Sequence, residues 1–228
     1  MTHDGKVELI IIIIIIIIII IIIDGDVYIQ RALKRLLSTH GFSTQIFGSA
    51  REFPENQPPI PKIGCRILDI EMPGINGLEL QTQLDRRNIS LPIVFLTGHG
   101  TIPRIVQAMK QGAMDFLEKP VDGYVLIDAI PRAISRSQRQ FREKQACMDL
   151  EQRFSELSPR EREVFQLVVQ GLLNKHTAAE LGIVEQTVKV HRMRIMEKMR
   201  ASSLADLVSV SEKLRLPPCS STLFQRSE

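Results

Sequence analysis

The chain has 228 residues, 44% of them hydrophobic and 24% charged, with a net charge of +3 and no tryptophan. That length suits one or two domains that each bury a core, and the composition is that of an ordinary soluble protein. A charge this close to balance confines any affinity for nucleic acid to a local patch. Cys65, Cys147 and Cys219 show neither metal spacing nor a disulfide framework, which implies reduced thiols in a cytoplasmic protein. No signal peptide with a cleavage site is visible.

Residues 10–23 are fourteen consecutive isoleucines. With Leu9 the apolar run falls short of the ~18–20 residues a spanning helix needs, so no membrane partner is expected. Isoleucine is β-branched, and part of the run can serve as a first buried strand. Fourteen residues is too long for that strand alone, and a bare run of this kind is an aggregation hazard. A placeholder, a sequence error and an expanded repeat would each produce it.

From Asp26 to Thr39, Val27, Ala32, Leu33, Leu36 and Leu37 recur at helical spacing among basic residues, and Gly41 follows in a position suited to ending a helix. Thr44 to Phe47 reads as a strand, Ser49 to Phe53 as the start of a helix, and 56–61 as a Pro-rich loop. Then come a strand ending at Leu68, a helix from Asn76 to Arg86, and a strand from Pro92 to Leu96. A helix from Thr101 to Gln111, a strand from Met114 to Leu117 and a helix from near Asp122 follow. Strands alternating with helices at this spacing imply right-handed crossovers and an α/β fold, a five-stranded parallel doubly wound sheet if the isoleucines supply the first strand.

In Cys65–Gly74 an apolar run ends in a single carboxylate, Asp69, with Pro73 and Gly74 close behind. A strand-end Asp in such a fold can be a phosphoryl nucleophile, a metal ligand or both; it can also simply cap the next turn. Thr97 and Lys119 end two later strands, so a hydroxyl and an ammonium share the sheet edge with that carboxylate.

These motifs, Leu68-Asp69-Ile70-Glu71-Met72-Pro73-Gly74, Leu96-Thr97-Gly98-His99-Gly100 and Ala113 to Pro120, resemble a two-component receiver domain. The Thr-Gly-His-Gly run is similar to the FixJ branch of the FixJ/NarL response regulators. The resemblance spans about residues 24–137, and the receiver domain is set at 6–137. It implies that Asp69 accepts a phosphoryl group from a sensor histidine kinase, with Thr97 as switch hydroxyl, Lys119 as phosphate partner and Phe116 as switch aromatic. It implies Mg²⁺ held by Asp69, the Glu71 backbone carbonyl and acids at the end of the first strand. By the same likeness a pair of acids belongs at Ile22 and Ile23, leaving Asp24 as a substitute ligand and Mg²⁺ weakened if the isoleucines are real.

Ile127, Ile134, Phe141 and Met148 recur every seven residues. The stripe suits a weak seam between protomers or a solvated linker helix over 138–153, and its polar surroundings favour the linker. Pro131 predicts a kink or break.

After Leu157 the composition changes. Ser158-Pro159-Arg160-Glu161 is a capping box with proline in the first turn, starting a helix that runs to Gln170. Asn174 caps a second helix that ends at Gly182, a third runs from Glu185 to Arg200, and a fourth from Ser203 to Leu214. Ala178, Gly182 and Val188 have helix-turn-helix spacing. Lys189, Arg192, Arg194, Lys198 and Arg200 face a single acid, Glu197, between Gln186 and Arg200, which favours a phosphate-facing surface. The runs Leu157–Val164, Gly171–Lys175 and Thr187–Arg192 closely resemble a LuxR-type DNA-binding domain, covering 154–217, a small all-α four-helix unit. That likeness places Lys189, Val190 and Met193 against bases of double-stranded DNA, with Thr187, His191 and Arg192 beside them. It makes Lys175 and Arg194 phosphate contacts and Val188 and Ile195 core. Val184, where a hydroxyl usually caps, and His176-Thr177, where the second residue is usually apolar, depart from the pattern. Residues 218–228 read as a disordered tail.

The resulting expectation is a regulator rather than an enzyme: phosphorylation at Asp69 switches homodimerisation and DNA binding. A phosphorylation-independent DNA-binding regulator with a degenerate acidic pocket is the alternative. A haloacid-dehalogenase-type phosphatase would want an Asp where Glu71 stands and gives the second domain no role.

Overall fold

The computed structural model describes residues 18–53, 63–86, 91–98 and 100–214. Residues 6–17, the Pro-rich loop, His99 and the tail expected from 218 lie outside the described residues. The chain separates at Arg142/Glu143 into two compact units.

In the first unit the strands are β1 (Ile19–Ile23), β2 (Ser43–Phe47), β3 (Gly64–Asp69), β4 (Ile93–Thr97) and β5 (Asp115–Glu118). All neighbours are parallel, in the order β2-β1-β3-β4-β5. The helices are α1 (Val27–Thr39), α2 (Gly77–Arg86) and α3 (Ile102–Lys110), followed by α4 (Gly123–Ser155), which runs on into the second unit. The chain order reverses between β1 and β3, so their carboxyl ends flank the crevice where ligands bind in such sheets.

β1 is built from five isoleucines, and its central position explains why they fit. Ile21 and Ile23 join the hydrophobic cluster on one face of the sheet, with Leu68, Phe95 and Leu80. Ile20 and Ile22 join the cluster on the other, with Leu37, Ile67 and Leu126. A strand covered on both faces wants apolar, β-branched residues at every position. Close backbone approach fixes β3 at both ends. A Cβ on Gly64 would stand 2.1 Å from the Ile19 carbonyl oxygen, and one on Gly77 would stand 2.4 Å from that of Asp69.

At Ser49 the expected helix start is consistent with the local bonds: the Phe53 N–H donates to the Ser49 carbonyl at 3.3 Å, the Glu52 N–H donates to Ser49 Oγ, and the Glu52 carboxylate accepts from the Gly48 N–H at 2.8 Å, as at a helix N-terminus. Residues 54–62, which would continue it, lie outside the described residues. One local expectation is corrected: at Pro131 α4 does not break. The flanking residues Ala129, Ile130, Ala133 and Ile134 are buried, and tertiary packing outweighs the lost backbone bond. Ile127, Ile134 and Phe141 of the seven-residue stripe pack into the second of these sheet-face clusters, which leaves Met148 as its exposed member.

Arg66, in the middle of β3, is fully buried, and sequence patterning gave no sign of it. Its guanidinium donates to the Leu91 carbonyl at 3.1 Å and lies over the Phe53 ring. Burial pulls it down from its usual range, with Asp85 acting in the opposite direction.

The second unit packs α5 (Pro159–Val169), α6 (Asn174–Leu181), α7 (Glu185–Met199) and α8 (Leu204–Lys213) around Phe165, Val164, Val188, Ile195 and Leu207. Both capping boxes, Ser158 with Glu161 and Ser203 with Asp206, are formed. Asn174 is not a cap: Leu173 occupies that position, without a side-chain bond. Gly182 ends α6 in the left-handed conformation, φ 63°, which lets the chain turn into α7. No helix among the described residues is long and apolar enough to cross a membrane.

Candidate functional site

Parallel strands deliver their last residues to one edge, and there the chain gathers Asp24, Asp69, Thr97 and Lys119. Lys119 Nζ lies 2.8 Å from Asp24 Oδ2 and 2.9 Å from Asp69 Oδ2, between two carboxylates that are almost wholly buried. Backbone donors hold the other carboxylate oxygens: the Asp26 N–H donates to Asp24 Oδ1 at 2.8 Å and the Glu71 N–H to Asp69 Oδ1 at 3.0 Å. Gln30 Nε2 donates to the Asp24 carbonyl at 2.6 Å, tying α1 to the same edge. Lys119 is placed by its own N–H, which donates to the Thr97 carbonyl at 2.7 Å; the peptide bond that follows it, to Pro120, is cis. Thr97 is buried at the end of β4, one strand over from Asp69.

Burial pushes the Asp24 carboxyl above its ordinary value, against the pull of Lys119 and the Asp26 amide, and the Asp69 charge adds to the upward push. For Lys119 burial acts downward, yet its hydrogen bonds to Asp24 and Asp69 prevail and its ammonium is held above the ordinary lysine value. Two carboxylates share one ammonium, so the edge carries more negative than positive charge.

The isoleucine register corrects the expected acid positions. Ile22 and Ile23 are strand residues opposite Ile67 and Leu68, packed into the two clusters and fully buried. The strand ends one residue before Asp24, and the edge positions are Asp24, Gly25 and Asp26. Asp26 is committed to α1, its carboxylate accepting from the Tyr28 N–H at 2.7 Å and the Ile29 N–H at 3.4 Å. Asp24 therefore stands close to Asp69, with Lys119 Nζ between their carboxylates, where the resemblance left it only as a substitute ligand. Among the described residues no group of three or more His, Cys, Asp or Glu is arranged to hold a metal. The buried pair Asp24 and Asp69, short of positive charge, nevertheless offers the hard oxygen donors a divalent cation takes.

Phe116 sits half-buried in β5, its ring 6.5 Å from that of Phe95. A Cβ on Gly100 would come within 2.9 Å of that ring and 3.2 Å of the Thr97 methyl, so the glycine leaves the space that both side chains border. Glu71 points away from the carboxylate pair to Arg104 on α3, 3.7 Å away. Gly100 was part of the Thr-Gly-His-Gly run, though its steric role was not legible there, and Arg104 carried no sequence signal.

In the second unit α7 exposes Lys189, Val190, Met193 and Arg194, with Thr187, His191 and Arg192 half-buried beside them; Lys175 is exposed on α6. Val188 and Ile195 point inward. Lys198 leaves the basic face, because its ammonium bonds buried Glu161 at 2.7 Å and the Glu156 carbonyl at 3.0 Å. Burial opposes the Glu161 charge, but Lys198 and Ser158 prevail and hold the carboxyl below its ordinary value.

Residues 20–131 match the family described as response regulator receiver domain, and residues 155–211 the family of bacterial regulatory proteins of the luxR type. The chain is 45% identical over 192 residues to nodulation protein W of Bradyrhizobium diazoefficiens, covering 84% of each. It is 41% identical over 189 residues to the transcriptional regulatory protein FixJ of Azorhizobium caulinodans, covering 83% of this chain and 89% of that protein. The solved structure of the response regulator StyR superposes with a TM-score of 0.74 at 44% identity, covering 86% of this chain and 98% of that one. Full-length FixJ from B. japonicum gives 0.52 at 36%, covering 87% and 98%. The chain belongs to the two-component response regulators that join a receiver domain to a LuxR-type helix-turn-helix DNA-binding domain.

Proposed function

We propose that Asp69 is the phosphoacceptor, that its phosphorylation by a sensor histidine kinase drives homodimerisation, and that the dimer binds DNA through α7 to control transcription in the cytoplasm. The observation that carries this reading is the Lys119 ammonium held between Asp24 and Asp69 at the carboxyl edge of the sheet. In the transfer, an Asp69 carboxylate oxygen attacks phosphorus, the P–N bond to the kinase histidine breaks, and the imidazole leaves with a proton. Such transfers need positioning and charge neutralisation more than covalent help. Lys119 supplies one neutralising charge. Asp24, Asp69 and the Glu71 backbone carbonyl are the residues that would hold Mg²⁺, which supplies further neutralisation when bound. Thr97 would then turn its hydroxyl to the phosphoryl group, and Phe116 would turn inward to fill the space that Thr97 vacates.

The receiver face suited to dimerisation is that of α3 and β5. Ile102, Val106 and Met109 lie along one side of α3, and all three are exposed. In DNA binding, Lys189, Val190 and Met193 would meet bases, with Thr187, His191 and Arg192 beside them and Lys175 and Arg194 on phosphates, and a dimer would present two such helices to adjacent half-sites.

The test compares wild type with Asp69→Ala before and after acetyl phosphate plus Mg²⁺, scoring dimer formation by light scattering and operator affinity by fluorescence anisotropy. Wild type should dimerise and bind more tightly after treatment, and Asp69→Ala should do neither. Equal operator affinity in all four states would overturn the phosphorylation switch and favour the phosphorylation-independent regulator.

A further inference from the structure

We propose that Arg104 is the residue through which α3 senses the charge on Asp69: on phosphorylation its guanidinium leaves Glu71 for the phosphoryl group and draws the first turn of α3 toward the site. This rests on Asp69 being the phosphoacceptor.

The two ends of α3 are held differently. At its carboxyl end buried Gln81 of α2 reaches across, its Nε2 donating to the Gln111 carbonyl at 3.0 Å and the Ala108 carbonyl at 3.5 Å. Gln111 Nε2 donates back to Thr82 Oγ1 at 3.4 Å. Ala108, next to this anchor, is the buried residue of the helix. At the amino end Thr101 makes no side-chain cap bond, and Ile102, Pro103 and Arg104 are exposed. Among the described residues, the Arg104–Glu71 pair, 3.7 Å long and half-exposed on both sides, reaches from this end to the phosphoacceptor loop. A helix pinned at one end and lightly held at the other pivots about the pinned end.

The light hold stands beside the phosphoacceptor. The N–H of Glu71 donates to Asp69 Oδ1, so the anion that Arg104 now pairs belongs to a residue already bound to Asp69. An exposed pair of this length contributes little and is easily exchanged. A phosphoryl group adds about −1.5 to −2 charge and three strong acceptor oxygens, and guanidinium pairs with it in bidentate geometry. Arg104 thus has a weak partner in one state and a strong one in the other. The cleft lined by Ile70, Glu71, Met72, Asn76, Leu78 and Arg104 gives the side chain its path.

The experiment is hydrogen exchange of the 102–107 segment in the full chain, before and after acetyl phosphate plus Mg²⁺, with the acyl phosphate on Asp69 counted by intact mass. Wild type should exchange about tenfold more slowly when phosphorylated, the gain of a charge-assisted contact. Arg104→Gln should be phosphorylated yet lose that slowing, and Arg104→Lys should regain part of it. The charge swap, Glu71→Arg with Arg104→Glu, should exchange faster when phosphorylated. Slowing that survives in Arg104→Gln or in the swap would overturn the inference and leave the phosphoacceptor standing, as would a wild type that is phosphorylated without slowing. Absence of any acyl phosphate on wild-type Asp69 would overturn both.

Discussion

Lys119→Met removes the ammonium between Asp24 and Asp69 and keeps most of the apolar stem. Both carboxylates lie within 2.9 Å of the lost nitrogen, and their side chains are 1% and 7% exposed. Two unit charges about 5 Å apart repel by about 3 kcal/mol at an effective dielectric of about 20. Removing one partner of a buried ion pair costs about 3–5 kcal/mol, and because Lys119 retains some exposure the expected loss is about 2–4 kcal/mol at about pH 7. The loss should depend on pH. In wild type, burial pushes Asp24 above 3.8, so its ionisation subtracts from stability as pH rises from 3.8 through the raised value and is constant above it. The Lys119 value is raised above 10.5, so its contribution is complete below 10.5 and is lost as pH rises through the raised value. Without the ammonium, which pulls Asp24 downward, Asp24 takes up a proton more readily, and that relieves the repulsion in acid. The deficit of the variant should therefore be largest at about pH 7 and shrink toward about pH 5. Urea unfolding of both proteins in EDTA at the two pH values measures it. A deficit of equal size at both, or a variant as stable as wild type, would refute the reasoning.

Gly77→Ala should both destabilise the receiver and disturb its chemistry. The new methyl would stand 2.4 Å from the Asp69 carbonyl oxygen and 3.0 Å from Ile70 Cα, so the backbone carrying Asp69 must move. A loss of about 1–3 kcal/mol in urea unfolding, with slower labelling by acetyl phosphate, is expected; wild-type values for both would contradict the close approach. Thr177→Val should stabilise the DNA-binding unit. Thr177 is fully buried in α6 and its Oγ1 has no hydrogen-bond partner. Replacing the hydroxyl by a methyl of the same shape should raise stability by about 1 kcal/mol, read as a shift of the urea midpoint with unchanged slope; a lower midpoint would show the hydroxyl to be satisfied.

Much of the fold was legible in the sequence because its signals are local. Capping boxes at Ser158 and Ser203, glycines after helices and alternating strand and helix periods depend on neighbours within a few residues. Asp69, Thr97 and Lys119 were legible together because each ends a strand of a parallel sheet, and that topology sends them to one edge. Where tertiary packing overrides a helix breaker, as at Pro131, the local signal misleads.

The isoleucine run shows most clearly where local information ends. A strand has a period of two, but identical residues carry no phase, so nothing in Ile10–Ile23 says which five form the strand or where the acidic edge begins. Pairing with β2 and β3 selects Ile19–Ile23 and brings Asp24 to Lys119. The same holds for the buried guanidinium of Arg66, the Lys198–Glu161 pair, and the two unequal attachments of α3 through Gln81 and Arg104. Local sequence chose which elements form and which charged or polar residues end them, because those choices are made by residues a few positions apart. Register, and with it which charges face one another, came from packing in the folded chain, because contacts across 25 to 95 positions obey no period the chain can display.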